Sequence, residues 1–256
     1  MKQVILEELL KLEQEQSIKI LYAVESGSRA WGFASTNSDW DVRYIYVHPQ
    51  EWYLDIDSHK DSYEKILPND VDLAGWELRK ALKLFRKANP PLLEWLQSPI
   101  VYKQELDIAQ QLRQLMDIYF NPRSCMHHYL HMAEGNYRTY LQRDRVRTKK
   151  YFYVLRPILA CRWIEKHGNM PPVEFHKLLE ELLQDPTLAS IVQELLNRKV
   201  SGEELDEEPK IEALNAYLEQ EIQHIQTIIQ QTEPPEKPSN DALNLLFRET
   251  IKKAFL

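Results

Sequence analysis

Apolar and charged residues recur at helical spacing over residues 3–16, where Val4, Ile5, Leu9, Leu10 and Leu12 form one stripe and predict a helix. Residues 18–24 (IKILYAV) are rich in β-branched and aromatic side chains and predict a strand. Ser26-Gly27-Ser28 ends it with turn chemistry, and residues 29–33 read as a short helix. After the polar loop STNSD, residues 41–47 (DVRYIYV) alternate polar and apolar, as a second strand does, and Pro49 helps to end it. Residues 53–56 and 63–67 predict two further strands, and Val71-Asp72-Leu73 leads to a helix running through Phe85.

From Ile100 onward the period changes. Segments near 104–118, 123–142, 149–167, 173–183, 187–198 and 208–231 all repeat at helical spacing. TEPPEKPSN (232–240) reads as a Pro-rich linker before a last helix near 241–255. The expectation is an α+β protein: residues 1–105 with a small mixed sheet, a helical domain over 106–231, and a linker with a terminal helix over 232–256.

Composition narrows the class. A chain of 256 residues, 43% of them hydrophobic, can bury a core. Cys125 and Cys161 fit neither a disulfide framework nor a CxxC metal spacing, which points to a reducing compartment. The N-terminus lacks the pattern of a signal peptide, and charges interrupt every apolar run short of a membrane span. A soluble cytoplasmic protein with no membrane partner is therefore expected; nothing in the pattern fixes its oligomeric state.

The net charge of −7 is unevenly spread: residues 101–180 hold 13 basic against 8 acidic side chains, residues 1–100 hold 12 against 16, and residues 181–256 hold 7 against 15. A basic middle in an acidic chain suits a local anion site. Within it, Arg138, Arg143, Arg145, Arg147, Lys149, Lys150 and Arg156 interleave with tyrosines against one acid, Asp144. Lys149, Lys150 and Arg156 are the candidates here for phosphate contact, with a solvated helix face as the competing reading.

The candidate chemistry lies in residues 25–47. A Gly27-Ser28 turn follows one strand, and ten residues later Asp39-Trp40-Asp41 begins the next. Residues two apart on a strand share a face, so Asp39 and Asp41 can aim both carboxylates at one metal. Magnesium takes few protein carboxylates and keeps positions for phosphate and water. Backbone amides and the serine hydroxyl after Gly27 can hold phosphate, and glycine permits its close approach. Arg29, just past the turn, is a further candidate for phosphate or substrate.

Gly27, Ser28, Asp39 and Asp41 resemble the signature of the DNA polymerase beta superfamily of nucleotidyltransferases. GSRAWGFASTNSDWDVR, NPPLLEWLQSP (89–99) and KKYFYVLRPILACRWIE (149–165) resemble, more narrowly, nucleotidyltransferases found beside RNA ligases in some bacterial genomes. The resemblance implies a third metal-binding carboxylate on a neighbouring strand, for which Asp72 is the choice and Asp70 the reserve. It also implies an N-terminal nucleotidyltransferase domain followed by a helical one. The implied activity is transfer of a nucleoside monophosphate from a nucleoside triphosphate, using two Mg²⁺ or Mn²⁺ ions, to RNA, a protein or a small molecule. A module that kept the fold and lost turnover is the alternative.

Other features carry less. His127, His128 and His131 form H-H-x-x-H without the glutamate and third ligand of a zinc site. Trp31, Trp40, Trp76, Trp95 and Trp163 can stack on bases but suit a core equally. Glu94 reads as one half of a structural ion pair.

Overall fold

A computed structural model describes residues 1–203, 205–233 and 236–256. Helix α1 (Lys2–Gln16) leads into strand β1 (Lys19–Glu25), the five-residue helix α2 (Gly27–Trp31) and strand β2 (Trp40–Val47). Strands β3 (Ser62–Ile66) and β4 (Val71–Glu77) precede helices α3 (Leu78–Arg86) and α4 (Pro90–Gln97) and strand β5 (Val101–Gln104). The sheet order is β3-β4-β2-β1-β5, with β2 and β4 parallel and the other pairs antiparallel. The class is mixed α+β with helices dominating after β5, as the periodicity predicts.

Strand β1 sits deep in the sheet and is apolar on both faces, since both are covered. On one face Ile20, Ala23, Val42, Tyr44 and Leu73 pack with Ile5, Leu9 and Leu12 of α1. Leu10, assigned to the apolar stripe, is 55% exposed and lies off that contact. On the other face Leu21, Val24, Ile45 and Val47 join a core that continues into the helices. Asp41, Arg43 and Asp72 occupy this second face by the two-residue period of their strands.

The remaining elements are α5 (Ile108–Gln114), α6 (Met116–Tyr119), α7 (Pro122–Tyr140), β6 (Arg145–Arg147), α8 (Lys150–His167), α9 (Phe175–Leu182), α10 (Pro186–Val200), β7 (Glu207–Pro209), α11 (Glu212–Gln231) and α12 (Asp241–Ala254). Helices α4, α7 and α10 start alike. Asn89, Asn121 or Asp185 caps the free amides with its side chain, and the next residue is proline, whose missing N–H costs nothing at that position. Helix α8 is buried along most of its circumference, with Phe152, Leu155, Ile158, Leu159 and Cys161 all in the core.

Three expectations change. Residues 53–56 form no strand: a 3₁₀ turn (Gln50–Leu54) follows Pro49, and β3 already fills that side of β4. The helix read from residue 104 begins only at Ile108, because residues 101–104 complete the free edge of β1 and Glu105 N donates to Leu21 O at 2.7 Å. The segment from 208 first pairs as β7 with β6 before α11 begins at Glu212. Of the Pro-rich segment 232–240, Pro234 and Pro235 lie outside the described residues.

Candidate active site

Parallel pairing of β2 with β4 puts Asp41 directly opposite Asp72. One guanidinium nitrogen joins them: Arg43 Nη2 donates to Asp41 Oδ1 at 2.9 Å and to Asp72 Oδ2 at 2.8 Å. Arg43 Nη1 donates to the carbonyls of Asp72 and Val42 at 3.0 and 3.2 Å. Burial pushes the Asp41 carboxyl above its usual range; the charges of Asp72 and Asp39 push the same way, and Arg43 opposes them.

Gly27 closes one side of Asp41. A β-carbon there would stand 2.1 Å from Asp41 Oδ2, and the backbone has φ +58°. Both features require glycine. Ser26 N donates to Asp41 O at 2.8 Å, tying the start of α2 to β2, so Gly27 and Ser28 border the carboxylates.

Glu25, at the end of β1, is fully buried and accepts from Asp41 N at 2.8 Å and from Tyr102 Oη at 2.5 Å. Burial raises its pKa, against the pull of those two hydrogen bonds. Its carboxylate holds the Asp41 main chain and is closed off from solvent.

Asp39 stands in the exposed loop before β2, beside the Asp41–Asp72 pair but outside its hydrogen bonds. Arg29 grips that loop, donating to Asp39 O at 3.1 Å and Ser38 O at 2.6 Å while stacking 3.7 Å over Trp40. Asp70 lies in the turn before β4 with φ +59°, and its carbonyl accepts from Trp40 N. Its position is off the paired strands, whereas Asp72 is on them.

From the helical part, Tyr153 and Lys199 come near the segment of Asp39 and Asp41, with Lys150 beside Tyr153 and Lys149 near Lys199. Tyr153 is 43% exposed, its ring meets that of Trp31 edge to face with centres 5.8 Å apart, and burial together with Asp41 and Asp39 raises its pKa. Lys150 Nζ lies over the rings of Tyr140 and Tyr153 at 4.3 and 4.8 Å. Lys199, on α10, reaches Ser35 Oγ at 3.5 Å; burial and Lys149 lower its pKa, opposed by Asp39.

Arg156 lies elsewhere. It is 2% exposed, with Nη1 on Glu94 Oε1 at 2.7 Å and Nη2 on Val173 O at 3.1 Å. Glu94 also accepts from Tyr129 Oη at 2.6 Å and Trp31 Nε1 at 3.3 Å, and the Arg156 guanidinium lies 4.6 Å from the Trp31 ring centre. This buried knot ties α2 to α4, α7 and α8. His127, His128 and His131 line an open cavity of about 480 Å³ on α7 with Arg123.

Arg43 and Lys199 are absent from the sequence reading. Arg43 had a signal, since it is two residues after Asp41 on a strand and must share its face. Lys199 had none, lying 164 residues from Ser35.

Among the described residues no three His, Cys, Asp or Glu side chains form a group that could hold a metal. The protein offers two converging carboxylates and a third nearby, with Gly27 close against the Asp41 carboxylate. This all-oxygen set suits a hard divalent cation that takes its other ligands from phosphate and water.

A mixed sheet with a Gly-Ser turn after one strand and acids facing each other on two parallel-paired strands fits a nucleotidyltransferase domain of the polymerase beta type. The chain belongs to the RNA repair pathway DNA polymerase beta family, which it matches over residues 1–249. It is 48% identical over 255 residues to the protein of Bacillus subtilis (strain 168) called "Uncharacterized protein YcgL", covering 100% of this chain and 98% of that one. A nucleotidyltransferase-like protein from Exiguobacterium sibiricum 255-15 aligns with 89% of this chain and 75% of its own at 11% identity and a TM-score of 0.33. Among the described residues no helix is long and apolar enough to cross a membrane.

Proposed function

We propose that this chain transfers a nucleoside monophosphate from a nucleoside triphosphate to an acceptor hydroxyl, releasing pyrophosphate. The observation that carries this reading is the meeting of Asp41 and Asp72 at one nitrogen, on paired parallel strands, with Gly27 flush against Asp41. Asp39, Asp41 and Asp72 are the residues that would hold Mg²⁺ or Mn²⁺. Such metal, when bound, lowers the pKa of the attacking hydroxyl and neutralises charge on the leaving phosphates.

The hydroxyl oxygen attacks the α-phosphorus. The bond from that phosphorus to the oxygen bridging the β-phosphate breaks, and its electron pair leaves with pyrophosphate. Asp72, the more exposed of the paired carboxylates, takes the hydroxyl proton. Gly27 and Ser28 border the phosphates, while Lys149, Lys150 and Lys199 receive them from the opposite wall. Arg29 and Arg156 are spent on protein acceptors and act by holding the Asp39 loop and the helices in place. Tyr153 and Trp31 form an aromatic wall for the base. The family's connection with RNA repair favours an RNA end as acceptor.

Arg43 also supports a second reading, in which the fold binds nucleotide without turnover, because a resident cation already neutralises part of the pair. Incubation with α-labelled triphosphates, Mg²⁺ or Mn²⁺, and RNAs of defined ends separates the two. Label transfer that is lost in the Asp39→Ala, Asp41→Ala double variant is the expected result. Binding of metal and triphosphate with no transfer to any RNA end, protein or small molecule favours the second reading.

A further inference from the structure

We propose that Arg43 is a built-in counter-cation that makes bare divalent metal a poor ligand for this site, so that metal is retained together with the triphosphate. The inference rests on the nucleotidyltransferase reading and concerns the order in which its site assembles.

The geometry is specific. Arg43 Nη2 sits at hydrogen-bond distance from both Asp41 Oδ1 and Asp72 Oδ2, one oxygen of each of two carboxylates that would hold the metal. Nη1 is held by two main-chain carbonyls, those of Asp72 and Val42. The side chain is only 19% exposed. Leaving the pair therefore means giving up main-chain partners as well.

Charge decides the consequence. Two carboxylates and one guanidinium leave the pair with a single net negative charge instead of two, and Asp39, in its exposed loop, adds one more nearby. The entering cation competes for the two oxygens and is repelled by the neighbouring guanidinium in a partly dry site, where screening is weak. A triphosphate brings several further negative charges and its own oxygen ligands. The complex of metal and nucleotide is then held where the metal alone is not. Arg43 acts through the carboxylates and is a positioning residue; its effect on metal affinity is opposite to that of a residue that only supports the fold.

The test is the dissociation constant of Mn²⁺ measured by electron paramagnetic resonance of the free ion. It compares the wild type, Arg43→Gln and Arg43→Lys, each with and without a non-hydrolysable α,β-methylene triphosphate. Glutamine keeps hydrogen-bonding capacity without charge; lysine keeps the charge. Circular dichroism and a cooperative melt check folding, and Arg43→Met replaces Arg43→Gln if the latter unfolds.

Arg43→Gln is expected to bind bare Mn²⁺ about tenfold or more tightly than wild type, with lysine near wild type and the gap narrowing once the analogue saturates. Bare-metal affinity in the glutamine variant equal to or weaker than wild type overturns the proposal. So does a lysine variant as tight as glutamine, or a failure of every form to bind Mn²⁺. Tightening in Arg43→Gln with no analogue binding by any form would keep the charge effect of Arg43 and sink the nucleotide reading instead.

Discussion

Gly27 lies so close to Asp41 that a single added methyl would stand 2.1 Å from Oδ2 of the carboxylate. The same residue holds φ +58°, where a β-carbon is strained. Gly27→Ala should therefore displace the Asp41 side chain and destabilise the fold by about 1–3 kcal/mol. Thermal melts with and without Mn²⁺ plus the non-hydrolysable triphosphate analogue check both parts: a lower melting temperature and loss of the rise that metal and analogue induce together. An unchanged response to the pair would remove Gly27 from the site.

The fully buried Glu25 carboxyl has its pKa raised above the ordinary 4.5, chiefly by burial. A raised pKa means that the group's contribution to stability is present below 4.5 and is lost as pH rises through the folded value. Glu25→Gln is neutral throughout and can keep partners at Asp41 N and Tyr102. Its melting temperature minus that of wild type should become more positive as pH rises from 4.5 toward neutrality. A difference that is flat with pH would show that the two hydrogen bonds already offset the burial.

The Glu94–Arg156 pair joins α4 to α8, with side chains 12% and 3% exposed. Arg156→Met leaves Glu94 with only Tyr129 and Trp31 and should cost about 3–5 kcal/mol in urea unfolding. Adding Glu94→Leu should recover much of that loss, because the buried charge goes too. A double variant as unstable as the sum of both single changes would contradict the account.

Lys199 faces the Asp39 loop across the cleft and already holds an ammonium partly out of water. Lys199→Ala should weaken triphosphate binding by about tenfold, the size of one charge-assisted hydrogen bond. Calorimetric titration with the non-hydrolysable analogue measures it, and Lys177→Ala, on the exposed side of α9, is the control. Equal losses in both variants would mean only a change in overall charge.

Asp72 and Asp70 can be told apart by the same titration. Asp72→Asn should abolish tight binding of the metal with the analogue, and Asp70→Asn should leave it within about twofold, since Asp70 lies in the turn at φ +59°. The reverse result would exchange their roles.

Helix and strand periods alone separated the mixed N-terminal sheet from the helical remainder, because apolar spacing is a local property. Strands β1 and β2, the Gly27 turn and the place of Asp41 on β2 were legible for the same reason. Residues 53–56 misled, since their composition suits a strand while the chain there turns as a 3₁₀ helix after Pro49 and β3 takes the place beside β4. Strand β5 was missed, because what makes residues 101–104 extended is the open edge of β1.

By itself, the sequence determined which residues share a strand face, as Asp41 and Arg43 do, since alternation is built into the backbone; Asp39, read on that face, stands in the loop before β2. Only the tertiary structure decided that Asp72 stands opposite Asp41, that one guanidinium bridges the two, and that Lys199 reaches the loop of Asp39. Those relationships depend on strand register and helix docking, which are set by the burial of apolar faces far apart in the chain, and no local pattern encodes them.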